Sequence, residues 1–115
     1  MEDYQVPIRV QSEIMDRVQK FNQKYLSEEK SQYYSDARGK FIYFRRTINN
    51  GYFEGVFRLT YVEGLKNMPF ALYRRDTGKY DANAHGFFGE EFVNGTIEGA
   101  LTAGIMVYPP CRDFL

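Results

Sequence analysis

A chain of 115 residues with 43% hydrophobic and 26% charged side chains has the size and composition of an ordinary globular domain, which excludes extended disorder and collagen-like repeats. One cysteine and one histidine exclude a disulfide framework or a multi-ligand zinc site built within one chain. The formal net charge of zero hides an uneven distribution: residues 36 to 80 hold nine basic against four acidic side chains, and residues 81 to 115 hold one against five.

That asymmetry marks either an anion-binding surface or two parts of one domain attracting each other. Residues 1–115 read as a single domain. The opening Met1-Glu-Asp-Tyr-Gln lacks a basic stretch followed by an apolar one, and no apolar run nears the roughly eighteen residues of a membrane span. The expectation is a cytoplasmic protein without a membrane partner, metal or cofactor. Asn94-Gly95-Thr96 matches a glycosylation acceptor, but in such a protein it reads as a turn and a helix start.

Val10, Ile14, Val18, Phe21 and Tyr25 recur at steps of four, four, three and four, one face of an amphipathic helix. Pro7 opens it as its first residue, or Ser12 caps it. The polar stretch Ser31 to Lys40 reads as a loop. From Phe41 the period changes to two, so Phe41 to Thr47 is a strand, and Asn49-Asn50-Gly51 is a hairpin turn into a second strand over Tyr52 to Val62. Met68 to Arg75 reads as a third strand with Pro69 at its start. Asp76-Thr77-Gly78-Lys79 turns the chain toward a weakly signalled fourth strand near Tyr80. Residues 81 to 95 look irregular. Ile97, Ala100, Leu101, Gly104, Ile105 and Tyr108 fall at helical spacing from Thr96, and Pro109-Pro110 ends the run. Gly99 and Gly104 weaken that helix, so packing close to the sheet must hold it. The predicted fold is α+β: an N-terminal amphipathic helix, a three- to four-stranded antiparallel meander sheet and a C-terminal helix, with both helices on one sheet face.

Alternation sorts the strand side chains into two sets. Ile42, Phe44, Ile48, Phe53, Phe57, Leu59, Tyr61, Phe70 and Leu72 belong under the helices. Tyr43, Arg45, Tyr52, Arg58, Thr60, Tyr73 and Arg75 belong on the other, open face. Tyrosine offers a flat ring and arginine a rigid donor fork for phosphate or carboxylate, so Tyr43, Arg45, Arg58, Tyr73 and Arg75 are the expected ligand-binding residues. The same residues also suit any half-solvated sheet.

Other motifs carry less. Asp76-Thr77-Gly78 has the letters of an aspartic protease, but two arginines precede it and the sequence makes a good turn. His85 lies near Asp81, Glu90 and Glu91 without a spacing that fixes a catalytic partner. Phe87, Phe88 and Phe92 read as anchors of their loop to the core, or else as a hydrophobic contact surface, and Cys111 has no evident activating base. The Gly51-to-Glu63 strand, if it were a sheet edge, could pair with another chain. The leading expectation is a non-enzymatic interaction module that self-associates as a homodimer or meets a protein or anionic partner through the Tyr and Arg face. The alternatives are a nucleic-acid-binding domain using that face and a small enzyme with a site near His85.

Overall fold

The computed structural model describes residues 5–27, 31–47 and 52–110. Its first helix, α1, runs from Ile8 to Tyr25. Pro7 stands just outside it with extended backbone, and its carbonyl accepts from the N–H groups of Val10 and Gln11, each at 2.9 Å. Pro7 therefore precedes the first helical residue, and Ser12 lies inside the helix. Ile14, Val18 and Phe21 are buried, whereas Tyr25 is exposed, its ring 4.7 Å from that of Phe21.

Five strands follow in antiparallel meander order: β1 (Tyr33–Arg38), β2 (Phe41–Thr47), β3 (Phe53–Thr60), β4 (Phe70–Arg74) and β5 (Lys79–Asp81). A short 3-10 turn at Glu90–Phe92 leads to α2 (Ile97–Val107). Both helices pack on the same sheet face, α1 over β1 and α2 over β3, and they touch each other. The α+β architecture is as expected, with one strand more than the expected maximum.

The additional strand, β1, occupies the stretch expected to be a loop. Its core-side residues are Tyr33, Ser35 and Ala37, paired with Arg46, Phe44 and Ile42, and two small side chains do not spell an apolar period of two. A two-residue turn joins it to β2, with Gly39 at φ 60° in the first central position, a conformation glycine adopts without the Cβ penalty. At its other end the Asn22 amide behaves like a neighbouring strand. Asn22 Nδ2 donates to the Tyr33 carbonyl and Tyr33 N–H donates to Asn22 Oδ1, both at 3.0 Å.

β3 carries a register shift opposite Phe44 and Arg45: Phe57 pairs with Phe44, but Gly55 pairs with Arg45, leaving Val56 as the bulged residue. One extra residue reverses the facing of everything before it. Val56 is consequently buried at 0% exposure, and Phe53, expected in the core, is 55% exposed on the open face. β3 has neighbours on both sides, so it is not the free edge that chain pairing would require; β1 and β5 are the edges. Ile48, the turn at Asn49-Asn50-Gly51 and Cys111 lie outside the described residues.

The core is a run of stacked rings. Phe44 and Phe57 lie 4.6 Å apart, Phe57 and Phe70 5.3 Å, and Phe70 and Phe87 5.9 Å, while Tyr33 meets Phe57 edge-on at 6.1 Å. Phe87 thus anchors its loop, whereas Phe88 is 73% and Phe92 40% exposed. Burying each core ring contributes about 1.5 to 3 kcal/mol relative to leaving it in water.

Thr96 caps α2 by accepting from the Gly99 N–H at 3.1 Å. Ala100, Ala103 and Gly104 face inward, and a Cβ on Gly104 would collide with the Tyr33 hydroxyl and the Val56 side chain. The small residues that weaken α2 are what let it approach the sheet.

A forked ion pair joins the helices: Arg17 Nε donates to Glu98 Oε2 at 2.8 Å and Arg17 Nη2 to Oε1 at 2.5 Å. Arg17, as hydrogen-bond donor, holds the Glu98 carboxyl below its ordinary value. A depressed carboxylate stabilises the fold at pH values above its unfolded pKa and loses that contribution as pH falls through the lower folded value. Glu98→Gln is therefore expected to flatten the stability profile below about pH 4.5, as read by urea midpoints at successively lower pH.

Candidate functional site

Neither helix covers the second face of the sheet. Its central row runs from Asp36 on β1 through Tyr43 on β2 and Arg58 on β3 to Ala71 on β4. The next row runs from Tyr34 through Arg45 to Gly55, and Tyr73 and Tyr80 are paired across β4 and β5. Four of the five expected ligand-binding residues, Tyr43, Arg45, Arg58 and Tyr73, therefore share this face.

The fifth does not. Arg75 lies just past the end of β4, where strand alternation no longer sets its direction. Its guanidinium stacks 3.8 Å from the centre of the Tyr108 ring and pairs with Glu54 at 3.4 Å. Tyr108 is the residue that ends α2, so Arg75 belongs to the helix side.

The open face has two zones. In the first, Tyr80 is the hub: its ring lies 5.3 Å from Tyr43 and 5.0 Å from Tyr73, at interplanar angles of 64° and 56°. Room for these rings comes from Gly55, where a Cβ would stand 3.1 Å from the Tyr80 hydroxyl and 3.2 Å from Tyr73 Cγ. The Arg58 guanidinium lies 4.1 Å from the Phe41 ring centre and 5.3 Å from that of Tyr80. Cation–π attraction holds it there, and its Nε is buried without a hydrogen-bond partner. Burial raises the Tyr80 hydroxyl above its ordinary value.

In the second zone Tyr34 and Phe53 meet edge-on at 5.1 Å. Both are more than half exposed, at 51% and 55%. Arg45 sits beside them, directly opposite Tyr34 across the strands. Among the described residues neither Arg45 nor Arg58 has a carboxylate partner, whereas nearby Arg38 is neutralised by Asp36 at 2.8 Å. Two guanidinium groups thus stand without counter-charge among six aromatic side chains (Phe41, Tyr43, Tyr73, Tyr80, Tyr34 and Phe53). Such an arrangement can bind an anion by charge-assisted hydrogen bonds and an unsaturated or planar group by stacking.

Sequence reasoning missed Phe41, Tyr80, Tyr34 and Phe53. Phe41 was within reach, because it shares the alternation of Tyr43 and Arg45. Tyr34 was hidden by the unrecognised β1, and Phe53 by the bulge.

The other candidates are dispersed. His85 is exposed, its Nδ1 3.1 Å from the Asn83 carbonyl. Asp81 accepts from the Asn83 N–H at 2.9 Å and pairs with Arg74 at 3.2 Å; the Asn83 N–H and then Arg74 hold its carboxyl below the ordinary value. Glu90 accepts from the Gly86 N–H. These are turn-forming bonds. Asp76 to Gly78 lie in the turn between β4 and β5, with Gly78 at φ 72°. Among the described residues no three His, Cys, Asp or Glu side chains are grouped to hold a metal ion, and no helix is long and apolar enough to cross a membrane.

No family model, curated protein or solved structure matches the chain.

Proposed function

We propose that this protein is a non-enzymatic interaction module whose open sheet face takes up an anionic partner. The observation that carries the reading is the absence, among the described residues, of a carboxylate beside Arg45 and Arg58 on an aromatic face that neither helix covers. Arg58 is pre-oriented by Phe41 and Tyr80, so little side-chain freedom is lost when it engages a phosphate or carboxylate. Arg45 makes the second contact, with Tyr34 and Phe53 as neighbouring apolar surface. Tyr43 and Tyr73 complete the contact area. Two copies docked through this face would bring four guanidinium groups without carboxylate partners into one interface, which favours an acidic partner over self-association by this face.

Single-stranded nucleic acid is the second reading, favoured by the exposed rings of Tyr34 and Phe53 beside Arg45, since bases stack on such platforms. Titration of a labelled uridine oligomer and of a labelled polyglutamate peptide separates the two. Two phosphate contacts predict that affinity for the oligomer falls by about sevenfold between 50 and 200 mM salt. Arg45→Ala combined with Arg58→Ala is expected to weaken whichever partner binds by tenfold or more. Arg45→Ala alone leaves the fold intact, because Arg45 makes no internal ion pair. Unchanged affinity in both variants refutes the proposal.

A further inference from the structure

The outer edge of β1, unpaired at Ser35 and Ala37 among the described residues, is a second surface, independent of the open face. Alternate residues of an antiparallel strand turn their N–H and C=O groups toward opposite neighbours. Gln32 faces β2, its carbonyl accepting from the Thr47 N–H at 3.1 Å. Tyr33 faces the other way, with both groups taken by Asn22. Ser35 and Ala37 lie two and four residues further along and face outward with it. Among the described residues nothing pairs with their outward N–H and C=O groups.

Two clefts flank that edge on the helix side. One of ≈ 220 Å³ lies among Met15, Val18, Gln19, Asn22 and Ser35. The other, ≈ 160 Å³, lies among Gln11, Ile14, Met15, Ser35 and Ala37. Met15 is a wall of both and is 60% exposed, a flexible side chain able to repack around different apolar groups. The side chains of Ser35 and Ala37 point to the helix side. Residues of an added strand opposite them would point the same way, into the clefts.

We propose that this edge binds an extended peptide segment of a partner protein, added to the sheet as a further antiparallel strand. Two apolar side chains, one residue apart, fill the clefts. Asp36 and Arg38 pair with each other at 2.8 Å; a basic residue opposite Asp36, between the two apolar ones, and an acidic residue opposite Arg38 extend that pair across the strands. Extended backbone is specified because the unmet groups repeat every second residue. A second copy of this chain fits poorly. Its only register that bonds both Ser35 and Ala37 sets Asp36 directly opposite its own counterpart. The neighbouring registers run into Tyr33, already taken by Asn22, or into Gly39, whose carbonyl accepts from Val6.

The test is selection of a displayed library of random twelve-residue peptides on the full chain, followed by titration of the enriched peptides. They are expected to share two apolar residues around a lysine or arginine, and to slow hydrogen exchange of the Ser35 and Ala37 amides by tenfold or more. Ser35→Pro removes an outward N–H without touching the bonds to β2, as edge prolines do, and should weaken binding at least tenfold. Met15→Lys, on an exposed helix position, should do the same if Ser35→Pro perturbs the fold. Failure to enrich any peptide, or binding unchanged in both variants, overturns the proposal. So does sedimentation showing that the chain dimerises and that Ser35→Pro makes it monomeric, because the occupant is then a second copy.

Discussion

Truncating Phe57 to alanine is expected to lower the unfolding free energy by about 3 to 5 kcal/mol, a large share of the roughly 5 to 15 kcal/mol that natural domains possess. Phe57 is fully buried and sits between the stacked rings of Phe44 and Phe70, with Tyr33 at its edge. Its loss opens a cavity that neighbours on β2 and β4 cannot collapse into without leaving the sheet register. Phe57→Leu keeps much of the volume and should cost far less. Urea unfolding of the two variants checks both statements; a cost below about 1 kcal/mol for the alanine variant would mean that the site relaxes freely, contrary to a close-packed core.

Gly104→Val is expected to be nearly as damaging, by about 3 kcal/mol or more, through overpacking rather than a cavity. In an isolated helix replacing glycine by any residue other than proline is favourable, by alanine about 1 kcal/mol. Here the sign reverses. A Cβ at Gly104 enters the space of the Tyr33 hydroxyl and comes 2.8 Å from Val56 Cγ1. The Tyr33 hydroxyl is buried and donates to the Leu101 carbonyl at 2.8 Å, so displacing it leaves a polar group unpaired as well. Thermal unfolding should report a fall of about 10 °C or more for Gly104→Val. A rise would show that α2 is held by propensity and not by its contact with the sheet.

Both α-helices pack on the sheet face that carries Phe57, α1 over β1 and α2 over β3, and among the described residues no third α-helix covers the other face. The aromatic and arginine residues of that side are therefore left to solvent, or to a partner.

Much of this was legible in the sequence. Ile14, Val18 and Phe21 announce α1 through helical spacing, Phe41 to Thr47 announces β2 through alternation, and Tyr43, Arg45, Arg58 and Tyr73 fall on the open face by the same rule. What was not legible depends on tertiary partners. β1 exists because β2 and the Asn22 amide satisfy its backbone, and neither signal is local to Ser31 to Lys40. The bulge at Val56 moves a whole half-strand to the opposite face; Gly55 beside it is the local signal, since glycine inside a strand often marks a bulge, but it does not say which residue is the extra one. Arg75 escaped the pattern because it lies one residue beyond its strand. Arg46 shows the opposite case: strict alternation places it with Ile42 and Phe44, and there it is, 3% exposed, with its guanidinium 5.3 Å from the Tyr33 ring and donating to the Tyr108 carbonyl.

The most direct test of an anion-binding open face is an amide NMR titration of the labelled full chain with single-stranded RNA and, separately, with an acidic peptide, at low salt and at about 200 mM. The expected result is a set of shifts centred on Tyr43, Arg45, Arg58 and Tyr73 with at least one of the two titrants, diminished at the higher salt. Shifts confined to the helix side, or none with either anion, would contradict it.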